Sequence, residues 1–155
     1  MTDDLATNIK YLRRACRLCP HSSCGYKVGC VAVTTSNKVI QSYNETLPGE
    51  VHCQSGECVR EKMGYIGGQR IEIVCSLHAE ASVVAKAAKA GVSLKAAKVF
   101  VTTFPCYICS KLLVKTGIGR LYYMSKYGGN EGQVFFQAAK IPVEQILETT
   151  VWGKS

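Results

Sequence analysis

The stretch "AKVFVTTFPCYICSKLLVKTGIGRLYYM", residues 97–124, decides the fold. Its first eight residues form a β-branched and aromatic run of strand length, and its last five, "RLYYM", form another. Between them, Pro105 suits the first turn of a helix over residues 106–116. Strand, helix, strand at this spacing is the crossover unit of a layered sheet. Upstream, residues 78–91 carry helical patterning that stops at Gly91, a C-terminal cap. Residues 28–35, "VGCVAVTT", and 38–44, "KVIQSYN", are apolar and β-branched, with Ser36 and Asn37 as the turn of a hairpin between them. Residues 3–18 form a helix in which Leu5, Ile9, Leu12 and Cys16 recur at three- and four-residue steps. Thr2 is its expected cap, and Asp3 and Asp4 suit the positive end of its dipole.

Downstream, residues 131–140 read as a helix and 141–147 as a final strand. Residues 45–72 remain irregular, rich in Gly and polar side chains, and carry His52, Cys53 and Cys58. A loop this long inside a compact domain has a function or a bound metal to hold it. A hairpin followed by alternating helices and strands implies an α/β domain with a mixed sheet, and residues 1–155 fit a single domain.

Composition narrows the class. The chain is 47% hydrophobic and 19% charged, as globular proteins are and disordered ones are not. It has no apolar run of about 18 residues, which argues against a membrane span. The start, "MTDDLATNIKYLRR", is acidic and then amphipathic, unlike a secretory signal, so the cytoplasm is the expected compartment. Nine cysteines, an odd number without an export signal, point to metal rather than to a disulfide framework. A net charge of +8 suits an anionic partner, either a nucleotide phosphate or a nucleic acid. Because Lys and Arg are scattered along the chain, the same charge also fits a merely solvated surface.

Two short clusters carry the chemistry. "HAE", residues 78–80, opens one predicted helix, and "PCYIC", residues 105–109, opens the next. Crossover helices of one sheet bring such starts together at one edge. His78 then supplies an imidazole nitrogen. Cys106 and Cys109, three apart on one helical turn, supply two thiolates on the same side. Three protein ligands leave the fourth tetrahedral position of a zinc ion for water, the arrangement of a catalytic site and not of a closed structural one. The positive helix ends favour thiolate over thiol. Zinc draws the pKa of its water from 15.7 towards about 7. Glu80, close by but not a ligand, is placed to take that proton and pass it to a substrate ring nitrogen and then to a leaving amine. Either half alone is a weak signal, since a His at a helix start more often caps or packs. Together they match the H-x-E then P-C-x-x-C signature of the zinc deaminases.

With these residues in place the chain resembles the cytidine deaminase superfamily, and within it the deoxycytidylate deaminases, which convert dCMP to dUMP. The likeness runs from about Leu5 to Leu147: "SSCGYKVGCVAV" before the first strand, "SYNETLPG" after the hairpin, the His-Cys loop "EVHCQSGEC", "CSLHAE", and "VFVTTFPCYICSKLLVKTGIGRLYYMSKY" almost throughout. It implies a three-layer cytidine-deaminase-like fold, a mixed five-stranded sheet flanked by helices. It implies zinc on His78, Cys106 and Cys109, with Glu80 as proton shuttle. Asn44 would hydrogen-bond the sugar hydroxyl, the backbone around Ala79 would hold the base edge, and Tyr127 would line the nucleotide pocket. Two positions depart from the family's pattern. Ser82 stands where an Asn near the phosphate is usual and, as a substrate-binding residue, would donate its hydroxyl to that phosphate; Glu45 replaces the Gly of "YNG". Some members hold a second, structural zinc under the long loop; Cys24, Cys53, Cys58 and Cys75 are the candidates here, with His52 as a substitute and Cys16 and Cys19 as further thiols. The resemblance also implies a homo-oligomer.

Three functions are consistent with these residues. The first is hydrolytic deamination of a cytosine nucleotide, with dCMP foremost. The second is deamination of a base in a polynucleotide, tRNA adenosine or single-stranded DNA cytosine, which the +8 charge and the aromatics Tyr122, Tyr123 and Tyr127 favour. The third is a non-catalytic zinc module that binds nucleic acid or protein.

Overall fold

The structure, a computed structural model, describes residues 4–47, 58–65, 69–70, 73–126 and 131–153. Helix α1 (Leu5–Leu18) is followed by strands β1 (Gly29–Val33), β2 (Val39–Tyr43) and β3 (Glu45–Thr46). A short helix α2 (Val59–Lys62) and strand β4 (Ser76–Leu77) lead into helix α3 (Ala79–Lys89). Strand β5 (Lys98–Thr103), helix α4 (Tyr107–Lys115) and strand β6 (Arg120–Ser125) form the expected crossover unit. Helix α5 (Gln133–Ala138), strand β7 (Val143–Gln145) and helix α6 (Glu148–Trp152) complete the described chain.

Five strands make one sheet in the order β2-β1-β5-β6-β7. β1 pairs antiparallel with β2 and with β5, while β5–β6 and β6–β7 are parallel, so the sheet is mixed as the sequence implies. β3 and β4 form a separate antiparallel pair, Glu45 opposite Leu77 and Thr46 opposite Ser76. The period of two along each strand sorts the core onto both faces. Cys30, Ala32, Val99, Val101, Leu121 and Tyr123 face Val83, Leu113 and Phe136 on the side of α3, α4 and α5. Val31, Val33, Phe100, Tyr122 and Met124 pack with Leu12 and Ala15 of α1, and with Ile146 and Val151. Burial on both faces is why these strands read as nearly continuous apolar runs and not as alternating ones. Among the described residues no helix is long and apolar enough to cross a membrane.

Local chemistry sets most boundaries. Asn37 carries φ of 61° in the β1–β2 turn, a left-handed conformation that Asn tolerates. Gly29 is buried where β1 meets α1; a Cβ there would overlap the carbonyl of Ala15, so only glycine permits this approach. Three details differ from the sequence reading. Asp4, not Thr2, caps α1, its carboxylate accepting from the Thr7 amide at 3.2 Å; Thr2 and Asp3 lie outside the described residues. Pro105 precedes the cap of α4 instead of sitting in its first turn, because Cys106 holds the cap position. Residues 45–72 are not irregular throughout, since β3 and α2 lie within them; beyond β7, α6 buries Val151, whose carbonyl accepts from Arg13 Nε at 2.9 Å, and the Arg13 guanidinium lies 5.6 Å from the Trp152 ring centre.

Candidate active site

The two chemical clusters sit where the fold brings chain ends together. β5 ends at Thr103 and runs through Phe104 and Pro105 to Cys106, at the carboxyl end of the parallel strands, where open α/β sheets place ligands. β4 ends at Leu77 and its next residue, His78, caps α3. His78 makes no side-chain cap hydrogen bond. Its Nδ1 instead lies 3.4 Å from Cys106 Sγ and 3.5 Å from Cys109 Sγ. The Cys109 amide donates to Cys106 Sγ at 3.5 Å, which fixes one thiol against the first turn of α4.

The donor atoms of His78, Cys106 and Cys109 all lie within 4.8 Å of one another, and among the described residues no other group of three does so. A tetrahedral zinc with bonds of about 2.0 Å to nitrogen and 2.3 Å to sulfur sets its ligand atoms about 3.6 Å apart. The observed N···S separations meet that spacing, so the three residues fit a zinc ion. Their acidities agree. A hydrogen bond from Cys109 brings the Cys106 thiol well below its ordinary range against the opposing effect of burial, with the His78 imidazole helping. The same bond, together with burial, pushes Cys109 far up. A dication bound here favours both sulfurs as thiolates.

Glu80 lies in the first turn of α3 and is only 4% exposed. Burial lifts its carboxyl to about 7, against the lowering effects of its own backbone amide and of His78. A carboxyl poised there exchanges protons at neutral pH, as a general acid–base requires.

The remaining predicted residues divide. Asn44 is buried; its Oδ1 accepts from the Val28 amide at 2.8 Å and its Nδ2 donates to the Tyr26 carbonyl at 2.8 Å. These bonds pin residues 26–28 beside β1 and use two of the four hydrogen bonds the amide can make. Ala79 is buried in the first turn of α3, where backbone amides lack intrahelical partners. Ser82 is buried too, and its hydroxyl donates to Glu45 Oε1. Tyr127, Cys53 and His52 lie outside the described residues. Cys75 Sγ accepts from the Val59 amide at 3.3 Å, next to buried Cys58, but Cys24 does not join them in a ligand group. Cys16 and Cys19 are engaged elsewhere: Cys16 Sγ lies 3.4 Å from Met124 Sδ, and Cys19 Sγ lies 3.8 Å from the Ala15 carbonyl.

One group of residues escaped sequence reasoning. Glu45, Ser42, Ser82 and Lys86 form a polar cluster joining β2, β3 and α3. Burial raises the Glu45 carboxyl, but hydrogen bonds from Ser82, Lys86 and Ser42 together prevail and hold it below its ordinary range. The available signals were an acid where the family pattern has glycine and the four-residue spacing of Ser82 and Lys86.

A layered sheet with an imidazole, two cysteine sulfurs and a buried carboxyl at two helix starts has the makings of a three-ligand metal centre. The chain belongs to the family described as "Cytidine and deoxycytidylate deaminase zinc-binding region", whose model matches residues 6–125. It is 30% identical over 131 residues to ComE operon protein 2 of Bacillus subtilis, covering 83% of this chain. It is 30% identical over 105 residues to the deoxycytidylate deaminase of Saccharomyces cerevisiae, covering 68% of this chain. The chain spans 62% of the Bacillus protein and 33% of the yeast enzyme. Among solved structures it resembles the dCMP deaminase of cyanophage S-TIM5 in complex with dCMP and dUMP, with a TM-score of 0.77 and 25% identity over 94% of this chain and 100% of the phage chain.

Proposed function

We propose that this protein hydrolytically deaminates a cytosine nucleotide, with dCMP as substrate and dUMP and ammonia as products. The observation that carries the reading is the convergence of His78 Nδ1 on Cys106 Sγ at 3.4 Å and Cys109 Sγ at 3.5 Å, with buried Glu80 in the adjoining helical turn. Two further likenesses support the choice of substrate: the deoxycytidylate deaminase of yeast and the phage enzyme seen with dCMP and dUMP. A zinc ion held by His78, Cys106 and Cys109 supplies, when bound, an acidified water for attack on carbon 4 of the base. Glu80 takes a proton from the attacking water and delivers it to ring nitrogen 3; it then takes the proton of the new hydroxyl on carbon 4 and gives it to the departing amine, so that the carbonyl forms as ammonia leaves. The buried setting keeps bulk water away from this carboxyl and strengthens each charge interaction around it.

Asn44, the backbone at Ala79, and Tyr127 are assigned to the nucleotide. Asn44 keeps an amide hydrogen and a lone pair for a sugar hydroxyl beyond the two bonds it makes to the chain. Ser82 acts on the pocket through Glu45, which takes its one hydroxyl hydrogen. A second, structural zinc under the long loop, on Cys53, Cys58 and Cys75, is supported by the approach of Cys75 to the Cys58–Val59 peptide, and Cys24 stands apart from that group. We place the protein in the cytoplasm as a homo-oligomer, with residues 1–155 forming one domain. Exposed Tyr107, Ile108 and Val134 on α4 and α5 are apolar surface for a neighbouring copy.

Ammonia release from the zinc-loaded protein, measured over deoxycytidine, dCMP, CMP, tRNA and single-stranded DNA, tests this reading. Turnover of dCMP that disappears in Glu80→Ala, with zinc content unchanged, is the expected result. Turnover of polynucleotide alone, or native turnover by the variant, overturns it.

A further inference from the structure

We propose that Glu45 is a positioning residue that brackets the metal-ligating turn at His78. It rests on the deamination reading for its consequence in turnover, but its geometry stands independently. His78 is the one residue between Leu77, the last of β4, and Ala79, the first of α3. Everything that fixes the imidazole must therefore fix the angle between that strand and that helix. Glu45 holds both sides. Its main chain pairs with Leu77 in the β3–β4 ladder, before the turn. Its side chain grips α3 after the turn: Oε1 accepts from Ser82 Oγ and lies 3.0 Å from Lys86 Nζ. Ser82 and Lys86 are four residues apart and so present one face of the helix.

The grip extends to the main sheet. Ser42 of β2 donates to the same Glu45 oxygen at 3.1 Å, and Lys86 Nζ donates to Ser42 Oγ at 2.8 Å. One carboxylate oxygen thus collects donors from β2 and from two turns of α3. A ladder of two residues on each strand does not hold a helix at a fixed angle unaided, because an isolated two-stranded pair is marginal. The side-chain bonds to ionised Glu45 are the charge-assisted kind that do hold. Glu80 shares the α3 first turn and precedes Ser82 by two residues, so it moves with the segment that Glu45 secures. Glu45 itself belongs to no ligand group among the described residues. Its role runs through Ser82, Lys86 and the β3–β4 pair to His78 and Glu80.

The test uses the full chain with Glu45→Ala and Glu45→Gln, each loaded with zinc for kinetics and with cobalt(II) for spectroscopy. In Glu45→Ala, kcat for dCMP falls about 10- to 100-fold, the cost of a misplacement on the order of 1 Å, while KM stays within about twofold. Glu45→Gln, which keeps the shape and an accepting oxygen, recovers part of the loss. The substrate-free cobalt(II) absorption bands shift in Glu45→Ala and return towards native in Glu45→Gln. Native kcat and native cobalt bands in Glu45→Ala overturn the proposal. So does a rise in KM alone, which puts Glu45 against substrate and not behind the ligand. If Glu45→Ala does not fold, Ser82→Ala removes one arm of the bracket and carries the same spectral test. Failure of the native protein to release ammonia from dCMP refutes the deamination reading only, since the cobalt comparison needs no substrate.

Discussion

Replacing Glu80 by Gln in the metal-free protein should stabilise it at pH 8 and leave it unchanged at pH 4. Burial raises the carboxyl from its ordinary 4.5 to about 7. The unfolded chain gives up this proton near pH 4.5, while the folded chain holds it until about pH 7. Between those values the folded state binds more protons, so its stability declines as pH rises. The decline begins near the unfolded value and is complete above the folded one. A displacement from 4.5 to about 7 amounts to about 3 kcal/mol. Gln keeps the size of the side chain and cannot ionise, so the variant escapes that cost. In a chain of 155 residues each kcal/mol moves the melting temperature by about 2–4 °C, which puts the gain at about 9 °C at pH 8. Melting curves by circular dichroism, in chelator and reductant at pH 4, 6 and 8, measure it. With zinc restored the gain should shrink, because a dication beside the carboxylate favours its charged form. A variant that melts with the native protein at all three pH values, or that gains only at pH 4, refutes the reasoning.

Two further outcomes follow from the geometry. Cys109→Ser should lower zinc content by one ion per chain relative to the native protein, measured by metal analysis after gel filtration, because the remaining His78 and Cys106 are too few to close the site. Gly29→Ala should destabilise by about 3 kcal/mol, since the added methyl meets the backbone carbonyl of Ala15, which has no rotamer in which to yield. Gly25→Ala, with open space around it, is the control and should melt within about 2 °C of the native protein.

The parts of the fold that were legible in the sequence are those whose signal is local. The runs at residues 97–104 and 120–124 carry their own β-branched and aromatic composition, and the helix between them carries its own period. The candidate metal ligands were legible for a different reason: coordination chemistry admits few residue types, so a His and a Cys pair at two helix starts leave little choice. What escaped depends on contacts that composition does not record. Helix α6 has five residues, two of them Thr and one Val, and little helical propensity of its own. It forms because Val151 completes a core lined by Leu12 and Ile146 and because Arg13 reaches its carbonyl. The cap of α1 moved from Thr2 to Asp4 for a smaller reason, since neighbouring acids and hydroxyls compete for one turn of amides and only packing of the first turn selects among them.

Glu45 shows why the site was less legible than the metal. A glutamate between a strand and a Pro-Gly stretch reads as a solvated loop acid, and its partners lie 37 residues away at Ser82 and further at Lys86. The same physical logic nevertheless governs both layers. A zinc site requires three donor atoms held about 3.6 Å apart, a tolerance far tighter than any helix propensity supplies. The sequence therefore had to provide residues that set angles beside those that bind the ion: Asn44 for the segment before β1, and Glu45 for the turn at His78. Such residues look ordinary in a one-dimensional reading, because their chemistry is generic and their placement is what carries the information. A carboxylate that is lost from this position costs geometry at His78 and Glu80 before it costs the fold, and this distinguishes a part of the active site from a part of the core.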